Sequence, residues 1–262
     1  MLRYLRLYGC FLRFSLSRAL HFRLDFTFRI VMDAVFYAAH IGFYWILYNK
    51  TDLFVNWRFD QIMVFISGYL VLDSLHMTIF ANNLWQLPFL INKGDLDYYL
   101  LRPVSSLFFL SLREFAANSV MNVVLAGGIL AWSLWHYQGD LTLPGLLVYF
   151  GLLGVGTLLF FMVHLCYIIP VFWMQSDKSL HMIFFTMEDI MSKPDQIFPL
   201  WTRLVLRTLI PFSIMTTIPA ELLFNGIQWQ MLCGIALVTV WMFLFLRWFW
   251  ARGLRSYSSA SS

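Results

Sequence analysis

Residues 61–80 read QIMVFISGYLVLDSLHMTIF. This run of 20 residues holds one carboxylate, Asp73, and one imidazole, His76, among apolar and small side chains. A helix of that length rises about 30 Å, the thickness of a bilayer's hydrocarbon core. Working outward, comparable runs lie at 26–48, 112–135, 143–169, 203–224 and 229–250. The composition agrees: of 262 residues, 60% are apolar and 12% charged, against about 45–50% and 25% in soluble domains. The mean hydropathy is +0.71. Too few charges are present to coat so much apolar surface, which excludes a soluble enzyme, a nucleic-acid-binding module and a disordered chain. The expected fold is an all-α integral membrane protein, a single transmembrane domain over 1–262 with six spans.

The first 25 residues read as an amphipathic helix lying in the membrane surface. Arg3, Arg6 and Arg13 share a narrow face with Ser17 and His21 and suit lipid headgroups. The recurrence of arginine through the stretch, with no small-residue cleavage site after it, argues against a signal peptide. Placing both termini in the cytosol leaves only Lys50 and Arg58 outside, a split of 16 to 2 among the 18 basic residues. That asymmetry predicts a multi-pass plasma (inner) membrane protein with cytoplasmic N- and C-termini. The half-polar stretch 175–202 reads as an interfacial helix and turn. The fifth span, 203–224, is interrupted by Pro211 and Pro219, and Arg203 and Arg207 are expected to snorkel at its start. The tail 253–262 ends in SYSSASS and is expected to be disordered.

Ionisable groups within spans are costly and narrow the candidates. Asp25, Arg29 and Asp33 form an i, i+4, i+8 ladder. Asp73 and His76 share a face of the second span at a depth similar to Asp33. Three readings stay open for them: a structural polar contact, a substrate or water cavity, and a proton relay. His40 and His164 read as packed histidines, and Glu221 could face a vestibule. Gly151, Gly154 and Gly156 allow close helix packing. Cys10, Cys166 and Cys233 are dispersed and signal neither disulfides nor zinc. No GxxxxGK[ST], HExxH or GxSxG occurs. The chain is therefore expected to be no enzyme, with no catalytic residue, metal or cofactor of its own and no nucleic-acid partner.

The most distinctive stretch follows the second span. Residues 93–103 read KGDLDYYLLRP. Gly94 can turn the chain, Asp95 can cap a helix and Asp97 suits its first turn. Pro103 biases Arg102 away from α, so the helix stops after about two turns. Leu96, Tyr99, Leu100 and Pro103 fall near one face, which could dock on a soluble partner or be an ordinary interfacial loop.

Gly94-x-Leu96-Asp97-x-x-Leu100-Leu101-Arg102-Pro103 with Val104-Ser105 resembles the GxLDxxLLRPVS motif of the ABC-2 membrane subunits, the six-span permeases of ATP-binding-cassette exporters. Phe172-Trp173, Ile210-Pro211 and Ile218-Pro219-Ala220 also resemble this family. Asn82-Asn83 and Glu188-Asp189-x-x-x-Lys193 stand outside its pattern. The resemblance implies a permease that pairs with a second copy or a sister permease and sits on two ABC ATPase subunits, which carry the ATP and Mg. Gly94, Asp95, Leu96, Asp97, Tyr99, Leu100, Leu101, Arg102 and Pro103 would form the coupling segment that receives the ATPase stroke. By the same analogy, the substrate path between permeases is lined by the second and fifth spans, here Asp73, His76, Phe80, Pro211, Phe212 and Thr216. Two competing readings are an ion-coupled carrier using Asp33, Asp73 and His76, and a non-transporting membrane assembly protein. A neighbouring Walker-type ATPase would separate them.

Overall fold

The computed structural model describes residues 2–19, 23–50, 57–174 and 178–257, and these form helices and turns without a strand. The chain opens with α1 (Leu2–Ala19) and α2 (Arg23–Lys50). Next come α3 (Phe59–His76), a π turn (Met77–Ala81), α4 (Asn82–Lys93), the single turn α5 (Asp97–Leu100) and α6 (Ser106–Leu112). Then follow α7 (Val120–Trp135), α8 (Leu143–Ile168), α9 (Val171–Met174) and α10 (Lys178–Met191). The short helices α11 (Leu200–Thr208), α12 (Phe212–Met215) and α13 (Thr217–Asn225) lead to the last, α14 (Trp229–Ser256).

Among the described residues, four helical stretches are long and apolar enough to cross a membrane: Ile30–Lys50, Phe59–Lys93, Leu143–Met174 and Trp229–Ser256. α7 is apolar but has 16 residues, and α10 has 14. The structure departs from the expected spans in four places. Helix continues beyond Phe80 through the π turn to Lys93, with Pro88 accommodated inside it. The third expected span, 112–135, is not one helix: α6 ends at Leu112 and α7 starts at Val120. The fifth, 203–224, is three short helices. Pro211 precedes α12, and Thr216, with φ −127° and ψ −57°, separates α12 from α13; Pro219 is tolerated because it sits in the first turn of α13. The expected tail is helical as far as Ser256, and only 258–262 lie outside the described residues.

α3 is the axis of the bundle. Its residues 62–70 are buried all round, as expected of a helix apolar on every face. α7 and α8 pack along it, and α13 completes the surround. At Gly156 of α8 a Cβ would come 2.8 Å from Leu72 and 2.9 Å from the Met215 backbone. A glycine is required there, whereas Gly151 and Gly154 face open space.

Helices α11–α13 form a re-entrant excursion. Met215 reaches Gly156, about 20 Å along α8 from its start. Phe224 then packs on Trp57 and Tyr137, beside the loops that join α2 to α3 and α7 to α8. The excursion is held by charge. The Arg207 guanidinium donates to Asp195 at 2.6 and 3.2 Å and to Glu221 at 3.1 and 3.2 Å. Arg203 donates to the Asp195, Gln196 and Phe198 carbonyls. These arginines therefore do not snorkel, because buried acceptors compete for them, and Glu221 faces Arg207 instead of a vestibule.

Candidate functional site

The distinctive segment is built from α4 downward. Gly94, at φ +81°, ends α4 in a left-handed conformation that a side chain would strain. Leu96 then turns inward, fully buried, and its N–H reaches the Leu90 carbonyl at 3.2 Å. Helix α5 is one turn long, and its N-cap is Leu96, so Asp95 does not serve as the cap. The expected face of Leu96, Tyr99, Leu100 and Pro103 is therefore divided. Leu96 is core, and Tyr99 packs on Phe109 and Arg113. Tyr98 and Leu101 are the outward side chains, 70% and 85% exposed, with Leu100 at 37%. Arg102 lies over the Phe109 ring at 4.7 Å, and Asp97 opens the turn.

Behind this segment lies a polar hub that the sequence reading did not find. The Asn83 side-chain amide embraces the Glu114 backbone, accepting from its N–H at 2.9 Å and donating to its carbonyl at 2.7 Å. The Glu114 carboxylate accepts from Asn82 at 3.0 Å and Gln86 at 3.1 Å. Arg113 donates to Tyr99 Oη and to Gln86 Oε1. These partners explain why helix stops after Leu112 with neither glycine nor proline present: the Glu114 backbone groups are taken by Asn83. One residue on, the Ala116 N–H donates to the Thr78 carbonyl at 2.9 Å. Thr78 lies in the π turn, a local widening of the helix often found at functional sites. The Phe115 N–H reaches Ser15 Oγ on α1 at 3.1 Å. Residues 113–119 thus join α1, the α5 turn, α4 and the π turn. The i, i+4 pair Asn82/Gln86 opposite a neighbouring Arg-Glu pair was the available signal.

α1 packs on this region. Tyr4 meets Phe108 at 4.7 Å and Phe11 meets Phe109 at 5.2 Å. Arg6 and Arg13 are exposed, while the Arg3 side chain lies outside the described residues, as do those of Asp25 and Arg29.

The six residues expected along a substrate path are all buried within this chain. Asp73 and His76 on α3, with Phe80 in the π turn that follows, line the face that meets α8 and α10. His76 Nε2 lies 3.3 Å from His164 Nδ1, so one ring donates and the other accepts. His76 stacks on Phe160 at 3.9 Å and His164 on Phe184 at 4.2 Å. His164 is thus more than a packed ring, while His40 stacks on Tyr69 at 5.8 Å. The Asp73 carboxyl meets that of Glu188 on α10, with Asp33 nearby. Pro211, Phe212 and Thr216 sit in the re-entrant excursion, where Thr216 Oγ1 reaches the Met191 carbonyl at 3.3 Å. A separate groove of about 750 Å³ opens between α2, α3 and α7, lined by apolar residues, Trp45, Met63, Gly128 and Trp132 among them. None of the six residues lines it. Among the described residues no group of three His, Cys, Asp or Glu comes together to hold a metal.

No curated protein and no solved structure matches the chain. The family described as ABC-2 family transporter protein matches residues 34–261, from the first long helix through the last. With the helical architecture and the 94–105 motif, this places the molecule among integral membrane permeases: the chain belongs to the ABC-2 transporter family.

Proposed function

We propose that this chain is the membrane subunit of an ATP-driven exporter, working with a second permease and two ABC ATPase subunits. The observation that carries the reading is the exposed Tyr98–Leu101 edge backed by the 113–119 hub. An exposed apolar edge on a buried, hydrogen-bonded support suits docking to a soluble partner. A push on α5 would pass through Tyr99 and Arg113 to Gln86, and through Ala116 to Thr78 in the π turn. That turn adjoins His76 and the buried polar face of α3. The chain lacks a phosphate-binding loop, so the energy would come from the partner. The substrate path would form where two permeases meet, with the Asp73–Phe80 face reached only when α10 moves off α3.

In this reading α7 and α10 supply the two remaining spans, and α11–α13 enter and leave on the outer side. With Lys193, Arg203 and Arg207 placed beside Lys50 and Arg58, 13 of the 18 basic residues stay cytosolic, still a positive-inside asymmetry. The test is affinity purification from the native membrane in mild detergent. The expected result is a co-purifying Walker-type ATPase whose hydrolysis drives vesicle transport. Transport that follows a proton gradient with no ATPase bound would favour the ion-coupled carrier.

A further inference from the structure

We propose that Asp73 and Glu188 form a proton-binding site that latches α10 to α3. The inference concerns this chain alone and does not rest on the exporter reading. Asp73 is 7% exposed, and its Oδ1 is buried without a hydrogen-bond donor among the described residues. What it meets is the Glu188 carboxyl. Two ionised carboxylates offer only acceptors and repel; one proton between them turns the contact into a hydrogen bond.

The register of the two helices supports this pairing independently. Phe184, one turn before Glu188, stacks near His76, one turn after Asp73, with ring centroids 6.3 Å apart. Tyr44 Oη of α2 donates to the Ser192 carbonyl at 2.5 Å, one turn beyond Glu188. Antiparallel α3 and α10 are thus in a register that brings Glu188 level with Asp73. A metal ion is the other way to join two carboxylates, but hard cations such as Ca²⁺ take six to eight oxygens, and among the described residues no third acidic or imidazole group joins these two in a set that could hold a metal.

The surroundings supply no fixed counter-charge among the described residues. From α2, Asp33 and Tyr37 face Asp73, and Tyr44 faces Tyr69. His40, also on α2, senses Asp189. On α3 itself Tyr69 and His76 flank Asp73, and from α8 His164 reaches His76. Asp189, next on α10, is engaged by Lys193 at 2.6 Å. α7 carries no ionisable side chain, and Glu221 of α13 is engaged by Arg207. Nearby carboxylates disfavour a second negative charge at the pair, so one proton stays while the helices are in contact. Losing it would convert the bond into repulsion and free α10 from α3.

The test is infrared spectroscopy of the purified full chain in phospholipid nanodiscs, with pH as the only variable. A protonated carboxyl group shows a C=O stretching band that an ionised carboxylate lacks. The wild type should show that band at neutral pH with the intensity of one carboxyl per chain, falling as the pH is raised. Asp73→Asn and Glu188→Gln should each abolish it, because the introduced amide donates to the remaining carboxylate without a proton. Hydrogen exchange over 182–191, corrected for intrinsic rates, should lose protection in the wild type as the pH rises and stay constant in Glu188→Gln. Absence of the band in the wild type at neutral pH, or its persistence in both variants, overturns the site. Wild-type protection over 182–191 that is independent of pH overturns the latch.

Discussion

Replacing Asn83 by leucine isolates the hub from the rest of the fold. Asn83 is 1% exposed and makes both of its Glu114 backbone bonds within 2.9 Å. Leucine has a similar size and no polar atom, so Asn83→Leu removes both bonds while filling the space. A buried backbone group that loses its partner costs about 1–3 kcal/mol. Two such losses, partly offset by the easier burial of leucine, give a net of about 2–4 kcal/mol. The opening is local, since α3, α7 and α8 pack elsewhere. At about 1.4 kcal/mol per factor of ten, the amides of 113–119 should exchange at least roughly 30-fold faster. The assay is hydrogen exchange with mass spectrometry in nanodiscs, with Asn92→Leu, at an exposed position in the last turn of α4, as the control. Faster exchange should also extend to the π turn at 77–81, which shares the Thr78–Ala116 bond. Unchanged exchange over 113–119 in Asn83→Leu would refute the claim that this amide holds the helix break.

Three further predictions follow from separate parts of the fold. Gly156→Ala should destabilise the chain by about 1–3 kcal/mol in detergent unfolding, because the added methyl overlaps Leu72 and the Met215 backbone, whereas Gly151→Ala should be neutral within about 0.5 kcal/mol. Arg207→Ala strips the main partner from Asp195, which is 2% exposed, and should cost about 2–4 kcal/mol, less than a fully buried pair because Arg207 keeps some solvent contact and Arg203 stays near; adding Asp195→Asn should recover part of the loss. Cysteines at 54 and 139 should react with an impermeant reagent outside intact cells and one at 258 should not; labelling at 258 from outside would reverse the orientation.

The long spans were legible because apolar composition and helix length act together along α2, α3, α8 and α14. The 94–103 segment was legible because Gly94 and Pro103 bracket it. Hydropathy leaves the region after α8 as a half-polar stretch for a specific reason. α10 carries Glu188 and Asp189, which lower its score, yet their partners Asp73 and Lys193 lie outside that helix and are supplied by the fold. The 203–224 stretch is apolar enough to resemble a span. Its division into α11–α13 depends on Pro211, on the Thr216 backbone and on Arg207 finding Asp195 and Glu221, contacts between residues that no single window holds. The break at 113–119 is a tertiary effect of the same kind, since the Asn83 amide lies about 30 residues away in sequence. The outward side chains of the α5 turn were misjudged because the turn is shorter than the helical pattern suggested, which rotates Tyr98 and Leu101 outward in place of Tyr99 and Leu96.

The exporter account stands most directly on what touches Leu101. A photo-crosslinking amino acid at position 101, where the wild-type side chain is 85% exposed, should be activated in native membranes and its product identified by mass spectrometry. The account predicts a crosslink to a Walker-type ATPase, lost when Tyr98→Asp and Leu100→Asp are combined while the chain still reaches the membrane. Crosslinks at position 101 to lipid alone, with the chain intact and active, would contradict it.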